Sequence, residues 1–363
     1  MNSKNLIWAL LALIIVGGGI WAIRRPAEPI AAKTEAVTAD APAAAAEAPA
    51  TSKVALAEDY TLESVTPKRR YKIGVSFPFM AIPFWRNEAF GILDEAKKIG
   101  VDVVWYSADG YENIEKQSQQ LEDLITQKVD AIVLAATSAR GTVPAVEHAI
   151  ANNIVVVNHV SPTDSAKVSA IVVSDDRLIG TRQGEAMCRL LPQGGNVAML
   201  SGPAAAEWAG NRAGGFRDAI QKGCPNLKVV AERFTNPGRP EAQRETEDLL
   251  VAFQKLDGLF TVGDAMAMGA ADAARAAKRK NMVITTAGFF EETRPYIDSG
   301  AIAVAIDESA VLNGRLALVR AVQVLNGEHP PRLTLVPTPV RTKESIASLA
   351  TADIWAPSAW RIN

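Results

Sequence analysis

The sequence predicts an α/β protein of two doubly wound parallel-sheet lobes, joined by a hinge with a ligand cleft between them. The first observation behind this is that short runs rich in Val and Ile alternate with amphipathic segments of helical period. This alternation is typical of parallel strands buried between two layers of helices. The second is length: 363 residues and about ten apolar runs exceed one compact sheet, so two sheets of about five or six strands are expected.

The predicted strands follow the apolar runs. They cover residues 72–77, 101–106, 131–136, 155–160, 171–174, 197–201, 229–234, 258–262, 283–287 and 302–306. The segment between the second and third strands has Ile114, Leu121 and Leu124 on or near one stripe, as an amphipathic helix requires. Strands that alternate with such helices specify a parallel sheet with right-handed crossovers.

The boundary between the lobes is predicted where a polar loop, 161–167, is followed by Ser174-Asp175-Asp176 and a new helix. Acidic residues at the start of that helix suit the positive end of its dipole. Each lobe is expected to contain two stretches of chain. The first lobe covers 70–174 plus about 306–336, and the second covers 175–305 plus about 337–363.

Residues 1–25 are predicted to be a signal anchor, because residues 6–23 form an uninterrupted uncharged run. This run is at the short end of a bilayer span and is longer than the hydrophobic region of most secretory signals. Trp8 and Trp21 lie near its two ends, at the depth of the membrane interface. A cleaved signal peptide is the alternative. The anchor predicts that residues 6–23 hold the protein in a membrane, and the nearly balanced basic residues on its two sides leave the orientation open.

Residues 26–69 are predicted to be a linker, because Ala, Pro, Glu and Thr dominate them. Such a composition buries too little apolar surface to offset the entropy of ordering, and its prolines favour extended conformations. The folded part is therefore expected to work at a membrane surface at the end of a long tether.

Composition excludes several classes of function. The net charge of −2 provides no basic surface for nucleic acid, and no helix-turn-helix precedes the first lobe. Cys188 and Cys224 are either a disulfide or two buried thiols, and the three histidines lack metal-ligand spacing. No metal, cofactor, phosphate-binding or catalytic motif is present in the sequence, so the protein is not expected to be an enzyme.

A loop rich in aromatic residues follows the first strand. Phe79, Phe84 and Trp85 stand at the carboxyl end of that strand, where open α/β sheets bind ligands. Large rings at such an end are costly unless something covers them. They either cap the core under the loop or line a ligand cleft, and the cleft is the favoured interpretation.

Three further residues stand at or just beyond the ends of predicted strands. Trp208 follows the sixth strand, and although a lone Trp is often packing, its counterpart Trp85 in the other lobe favours binding. Asp307 follows the tenth strand and either faces a cationic ligand or caps the next helix. Asn158 lies near the end of the fourth strand and either offers its amide to a ligand or caps a turn.

The chain from about residue 69 to its end resembles the type I periplasmic solute-binding proteins of the ribose-binding class. The motifs are Pro83-Phe84-Trp85, Ser174-Asp175-Asp176 and Asn211-Arg212-Ala-Gly-Gly-Phe216. Within that class it is most similar to members that sense trimethylamine N-oxide and signal through a membrane histidine kinase. That likeness rests on Phe84-Trp85 with Phe90-Gly91, Gly110-Tyr-Glu-Asn-Ile-Glu-Lys-Gln117, Gly202-Pro203 with Trp208 and Gly215-Phe216, Gln243-Arg244 with Leu249-Leu250, and Asp307 with Asn313-Gly314-Arg315.

Two departures from the class concern the ligand. Sugar-binding members usually have Asn-Asp where this chain has Gly263-Asp264, and Gly-Phe-Asp where it has Gly288-Phe289-Phe290. The loss of two polar sugar ligands argues against a polyhydroxylated ligand and favours a small one that is partly apolar or cationic.

The resemblance also implies which residues form the site. Trp85, Trp208, Asn158 and Asp307 are expected to face the ligand. Phe84, Phe90 and Phe290 are expected to form its walls, and Arg212 matches the sugar-contacting arginine of the class. No cofactor or metal is implied.

The resemblance implies a sensory protein in the periplasm, which residues 6–23 would tether to the inner membrane. It would close on trimethylamine N-oxide or another methylated amine and present the closed form to the periplasmic domain of a membrane histidine kinase. The alternative is the sugar-binding subunit of an ABC importer, with a permease as its partner. We also expect Trp85→Ala to abolish binding at little cost in stability, because a ring in a cleft is not part of the core.

Overall fold

The structure is a computed structural model, and it describes residues 52–204, 206–350 and 353–362. The predicted anchor and residues 26–51 of the predicted linker lie outside this range. The elements, in chain order, are β1 (Lys53–Ala55), β2 (Lys72–Phe77), α1 (Pro83–Ile99), β3 (Asp102–Ser107), α2 (Ile114–Thr126), β4 (Ala131–Leu134), α3 (Val143–Ala151), β5 (Val155–His159), β6 (Ala170–Val173), α4 (Asp176–Leu190), β7 (Gly195–Leu200), α5 (Glu207–Gly223), β8 (Leu227–Arg233), α6 (Arg239–Ala252), β9 (Gly258–Thr261), α7 (Asp264–Ala276), β10 (Val283–Ala287), α8 (Arg294–Asp298), β11 (Val304–Ile306), α9 (Ala310–Leu325), β12 (Leu333–Leu335), β13 (Val340–Arg341) and α10 (Lys343–Ile346). Within these ranges no helix is both long enough and apolar enough to cross a membrane.

The described strands form two sheets. The first has seven strands in the order β1-β12-β6-β5-β4-β2-β3, and all neighbouring pairs are parallel. The second has six strands in the order β13-β11-β10-β9-β7-β8, and only the pair β11–β13 is antiparallel. The predicted α/β fold with two parallel sheets is confirmed. Each sheet with the helices packed on it is called a lobe below.

The first sheet is covered on both faces. Successive residues of a strand point to opposite faces, so alternate positions enter different cores. In β4, Ala131 and Val133 pack in the cluster that contains residues of α1 and α9. Ile132 and Leu134 pack in a second cluster with residues of α2 and α3. This explains why the strand is apolar at every position.

Three short segments connect the two lobes. They are residues 174–175 between β6 and α4, 307–309 between β11 and α9, and 336–339 between β12 and β13. Two of them are joined by a backbone hydrogen bond from Asp307 to the carbonyl of Pro339 (2.9 Å). Val336 in the third segment also donates to the carbonyl of Val173, directly before the first segment (3.0 Å). Such short connections are where a hinge between lobes bends.

The predicted linker is wrong over its described part. The strand β1 pairs with β12 at the edge of the first sheet, although it lies inside the predicted range of 26–69. Val65 is buried, and Leu56, Tyr60 and Leu62 pack against the core of the first lobe. The many Ala and Pro residues before it hide this apolar pattern in the average composition of the segment.

Cys188 and Cys224 form a disulfide, which is one of the two states that the sequence allowed. Cys188 lies in the last turn of α4 and Cys224 directly follows α5, so the bond joins the ends of two packed helices. Their Cα atoms are 5.6 Å apart, within the normal range for a disulfide. Such a bond is typical of an oxidising compartment and stabilises the fold by roughly 2–4 kcal/mol.

Candidate ligand cleft

The carboxyl ends of the strands in the two lobes meet at one junction. Phe84 follows β2 in the first lobe and Phe290 follows β10 in the second, and their ring centroids are 6.3 Å apart. In open α/β sheets, ligands bind beyond the carboxyl ends of the strands. This junction, called the cleft below, is the candidate functional site.

A row of aromatic rings leads from the first lobe to this contact. Phe84 lies 5.1 Å from Trp85, Trp85 lies 6.1 Å from Phe79, and Phe79 lies 5.5 Å from Tyr111, all between ring centroids. Each contact has an edge-to-face geometry, which the charge distribution of aromatic rings favours. The row therefore gives one side of the cleft a firm apolar surface that Phe290 extends into the second lobe.

Trp85 belongs to the core beneath this surface. Its side chain is only 2% exposed, and its ring lies 5.0 Å from that of Phe77 at the end of β2. Phe84, which is only half-buried, is the ring that reaches the other lobe. The burial of Trp85 thus argues against the expectation that Trp85→Ala costs little stability, and a contact between Trp85 and a ligand stays a prediction.

Phe90 lies in a different cluster from the row of rings. It packs with Val311, Ala356 and Trp360, and its ring centroid is 5.5 Å from that of Trp360. The structure therefore does not bring Phe90 together with Phe84 and Phe290 as a wall of the cleft.

The motif around Gly91 and Gly314 serves the packing of α1 against α9. A Cβ atom on Gly91 would overlap the carbonyl oxygen of Val311, and one on Gly314 would overlap that of Glu88. Only glycine permits the two helices to approach this closely. This packing places Glu88 near the segment that connects β11 to α9.

Trp208 contacts Arg212 one helical turn further along α5. The guanidinium carbon of Arg212 lies 5.1 Å from the centre of a Trp208 ring, which is a cation–π distance. Trp208 is half-buried at the edge of the core of the second lobe. The structure brings it beside Arg212 and does not place it in the row of rings.

Arg212 holds two carboxylates rather than pointing freely into the cleft. Its Nε donates to Asp176 (2.8 Å), its Nη1 donates to the carbonyl of Val262 (3.1 Å), and its Nη2 donates to Glu308. Burial opposes the charge of Arg212, but Glu308 and Asp176 together raise its pKa above the ordinary value. In this structure Arg212 ties the start of α4 and the end of β9 in the second lobe to the connecting segment 307–309.

Asp307 is fully engaged within the protein. Its Oδ2 accepts hydrogen bonds from Nε (3.0 Å) and Nη2 (2.7 Å) of Arg341, and its Oδ1 accepts one from the backbone of Ser309 (2.9 Å). Burial raises the pKa of Asp307, and Arg341 opposes that shift. The carboxylate therefore supports the hinge and the start of α9, and a ligand-facing role for it stays a prediction.

Asn158 is buried near the end of β5, and half of its amide is satisfied. Its Nδ2 donates to the carbonyl of Thr163 (3.2 Å), which closes the loop after the strand. Its Oδ1 has no hydrogen-bond partner among the described residues. The amide nitrogen of Asn158 therefore caps the turn, which was one of the two predicted roles. Its oxygen is available to accept a hydrogen bond from a ligand, which was the other.

A buried pair of Glu88 and His159 was not predicted from the sequence. Oε2 of Glu88 lies 2.7 Å from Nε2 of His159, and both side chains have an exposed fraction of 0%. Burial lowers the pKa of His159 to about 3, so its imidazole is neutral. Burial, and then the nearby Glu308, raise the pKa of Glu88 well above its ordinary value. The available signal was a carboxylate on the buried stripe of α1, between Trp85 and Ile92.

Asp264 is the second acidic residue whose role the sequence did not reveal. Asp264 and Phe290 both pack closely around Gly288. A Cβ atom added to Gly288 would lie 2.9 Å from the Cβ of Asp264 and 3.1 Å from an edge carbon of the Phe290 ring. Gly288 has a φ of +88°, so a side chain there is disfavoured for conformational reasons as well. Burial, and then Glu308, raise the pKa of Asp264 to about 7. Asp264 thus stands beside the ring contact between the lobes.

Comparison with known proteins agrees with this architecture. Residues 73–329 match the family model described as a periplasmic binding protein domain, which is more than half of the chain. The chain belongs to the periplasmic binding protein family.

Among its relatives, the ribose import binding protein of Bacillus subtilis is 27% identical over 277 residues, covering 76% of this chain and 89% of that protein. The D-apiose import binding protein of Paraburkholderia graminis is 29% identical over 252 residues, covering 69% and 79%.

A solved structure agrees with this assignment. The substrate-binding protein of a sugar ABC transport system from Bordetella parapertussis superposes with a TM-score of 0.76 at 27% identity. The match covers 83% of this chain and 98% of that one. Because these family members are binding proteins, the expectation that the protein is not an enzyme is confirmed. The closer likeness to trimethylamine N-oxide sensors is not shown by them and stays a prediction.

Proposed function

We propose that this periplasmic binding protein closes its two lobes on a small solute and delivers it to the permease of an ABC importer. The observation that carries the proposal is the contact between Phe84 and Phe290, which joins the carboxyl ends of the two sheets. Two relatives, one that binds ribose and one that binds D-apiose, are named import binding proteins, which supports the same assignment.

The mechanism follows from the three connecting segments. Closure of two lobes about a hinge encloses a ligand and excludes water, and a ligand that contacts both lobes stabilises the closed form. Phe84 from the first lobe and Phe290 from the second supply such contacts on opposite sides. The unpaired Oδ1 of Asn158 supplies a hydrogen-bond acceptor near the end of β5.

The proposal is tested by isothermal titration of the full-length chain in detergent with D-ribose, D-apiose and a set of small amines. We expect saturable binding of one compound with a single site per chain. Phe290→Ala should weaken that binding by at least about tenfold, since a buried ring contact is worth on the order of 1 kcal/mol or more. Phe234→Ala is the matched control, because Phe234 is 58% exposed and has no ring contact with the cleft among the described residues. Absence of binding, or equal loss in both variants, contradicts the proposal.

A sensory role is the second candidate, and one feature of the cleft favours its ligand. Phe289 and Phe290 stand after β10, and the ring of Phe290 forms part of the apolar wall. Apolar rings suit the methyl groups of trimethylamine N-oxide or a related amine better than the hydroxyl groups of a sugar. Under this candidate, residues 6–23 hold the protein in the inner membrane and the closed form contacts a histidine kinase.

The genes beside this one separate the two candidates. A permease and an ATPase support import, whereas a membrane histidine kinase supports sensing. The biochemical counterpart is to add the protein with its ligand to the neighbouring membrane protein in vesicles. Stimulated ATP hydrolysis supports import, and stimulated autophosphorylation supports sensing.

A further inference from the structure

The cleft contains more carboxylates than the described cations can neutralise. Asp176 and Glu308 share the single guanidinium of Arg212. Asp307 and Arg341 form a separate, balanced pair. After these pairings, one negative charge around Arg212 remains without a partner.

Asp264 adds a second uncompensated carboxylate. No Lys or Arg of the described residues forms an ion pair with it, whereas Glu308 and Glu292 both repel its charge. Asp264 and the ring of Phe290 both flank Gly288, so this carboxylate stands near the ring contact between the lobes. An ionised carboxylate in such a place is costly unless a cation accompanies it.

Glu88 of the first lobe adds a third carboxylate, and the charge of Glu308 acts on it. Its only described side-chain partner is the neutral His159, and its Oε1 has no hydrogen-bond partner although the side chain is fully buried. Burial, and then the negative charge of Glu308, raise the pKa of both Glu88 and Asp264. Carboxylates from the first lobe, the hinge and the second lobe therefore converge, with Arg212 as the one cation that pairs with any of the three among the described residues.

We propose that the ligand of this cleft is a small organic ammonium ion, which lies against Phe84 and Phe290 and pairs with Asp264 and Glu308. This inference rests on the proposed solute-binding function and specifies its ligand class. Aromatic faces attract cations most strongly where water is excluded, as between closed lobes. A neutral sugar would leave the carboxylates without compensation, so the cleft would bind it only with those groups protonated.

The first test compares charged and neutral ligands of equal shape on the full-length chain. One pair is choline and its neutral isostere, in which a tert-butyl group replaces the trimethylammonium group. The other pair is D-glucosamine and D-glucose. In whichever pair binds, we expect the charged compound to bind at least about tenfold more tightly than its neutral counterpart, since a desolvated cation–π contact alone gives such a factor. Equal or tighter binding of the neutral member overturns the ammonium assignment and leaves the solute-binding function intact. Absence of binding by all four also overturns the ammonium assignment, and the titrations with D-ribose and D-apiose then decide the solute-binding function separately.

The second test needs no ligand, because a carboxylate kept for a ligand destabilises the free protein. With a folded pKa of about 7 against an ordinary 3.8, Asp264 holds a proton in the folded state that the unfolded chain releases between those values. The stability it contributes is therefore present below about pH 4 and is lost as the pH rises through about 7. Asp264→Asn should raise the melting temperature at about pH 8, with a smaller rise at about pH 5.

Asp94→Asn is the matched control. Burial opposes the charge of Asp94, but its ion pairs with Lys98 and Arg315 outweigh burial and lower its pKa, so the protein should lose stability when Asp94 is neutralised. Asp264→Asn should also lower the ratio of the affinities for the charged and the neutral ligand by at least about tenfold. A fall in the melting temperature of Asp264→Asn at about pH 8, with the preference unchanged, overturns the proposal.

Discussion

The two lobes contribute different chemistry to the cleft. The first lobe supplies rings that continue into its own core, as Trp85 shows by its contact with Phe77. The second lobe and the connecting segments supply charges that are held by other charges, as in Asp176–Arg212–Glu308. The rings are therefore fixed by packing, whereas the charges depend on the relative position of the lobes and segments that carry them. This difference leads to different expected effects of mutation on the two sides.

The largest effect is expected on the aromatic side, from Trp85→Ala. A fully buried ring leaves a cavity, so we expect a loss of about 3–5 kcal/mol in the free energy of unfolding. Phe84→Ala should cost only about 1–2 kcal/mol, because its ring is half-buried. Chemical denaturation of both variants measures the difference. If Trp85→Ala is as stable as the wild type, the ring is part of the cleft and not of the core.

A loss of similar size is expected on the charged side, from Arg212→Met. This change leaves Asp176 and Glu308 without their cation, at a cost of about 3–5 kcal/mol. The control is Arg177→Met, since Arg177 pairs with Asp218 at the surface and such pairs are worth about 0–1 kcal/mol. Equal effects of the two substitutions in urea denaturation would show that the Arg212 network does not hold the hinge.

A smaller effect is expected from removing the disulfide by Cys188→Ala with Cys224→Ala. Both residues lie at the far ends of α4 and α5 from Asp176 and Arg212. We expect a loss of roughly 2–4 kcal/mol in stability with ligand affinity unchanged, measured by thermal unfolding and titration. A change in affinity would show that the ends of these helices are coupled to the cleft.

The sequence predicted the fold well, because buried parallel strands have apolar residues at every position. Each of the ten predicted strands corresponds to an observed one. The strands β1, β12 and β13 were missed because they are two or three residues long and have no apolar run of their own. Such strands form because they pair with strands that are distant in the sequence, and their own residue pattern does not reveal them.

The candidate site was only partly predictable, for a physical reason. Large rings at a strand end are unusual wherever they occur, so Phe84 stood out in the sequence, whereas Phe290 was assigned to the site only through the resemblance to the family. A charge becomes informative only when its partners are known, and those lie far apart along the chain. Arg212 and Asp307 look like ligand contacts in sequence, but Glu308 and Arg341 occupy them in the structure. Asp264 looks like a helix-initiating residue and has no such partner among the described residues.

The central claim is that a ligand closes the two lobes, and a distance between them tests it most directly. Gln119 on α2 and Asp248 on α6 are exposed in the first and second lobes, and spin labels can be attached at Gln119→Cys and Asp248→Cys. The native cysteines do not interfere, because they form a disulfide. With a saturating amount of the compound that binds most tightly, the distribution of distances between the labels should shift to shorter values and narrow. An unchanged distribution at saturation would contradict the account.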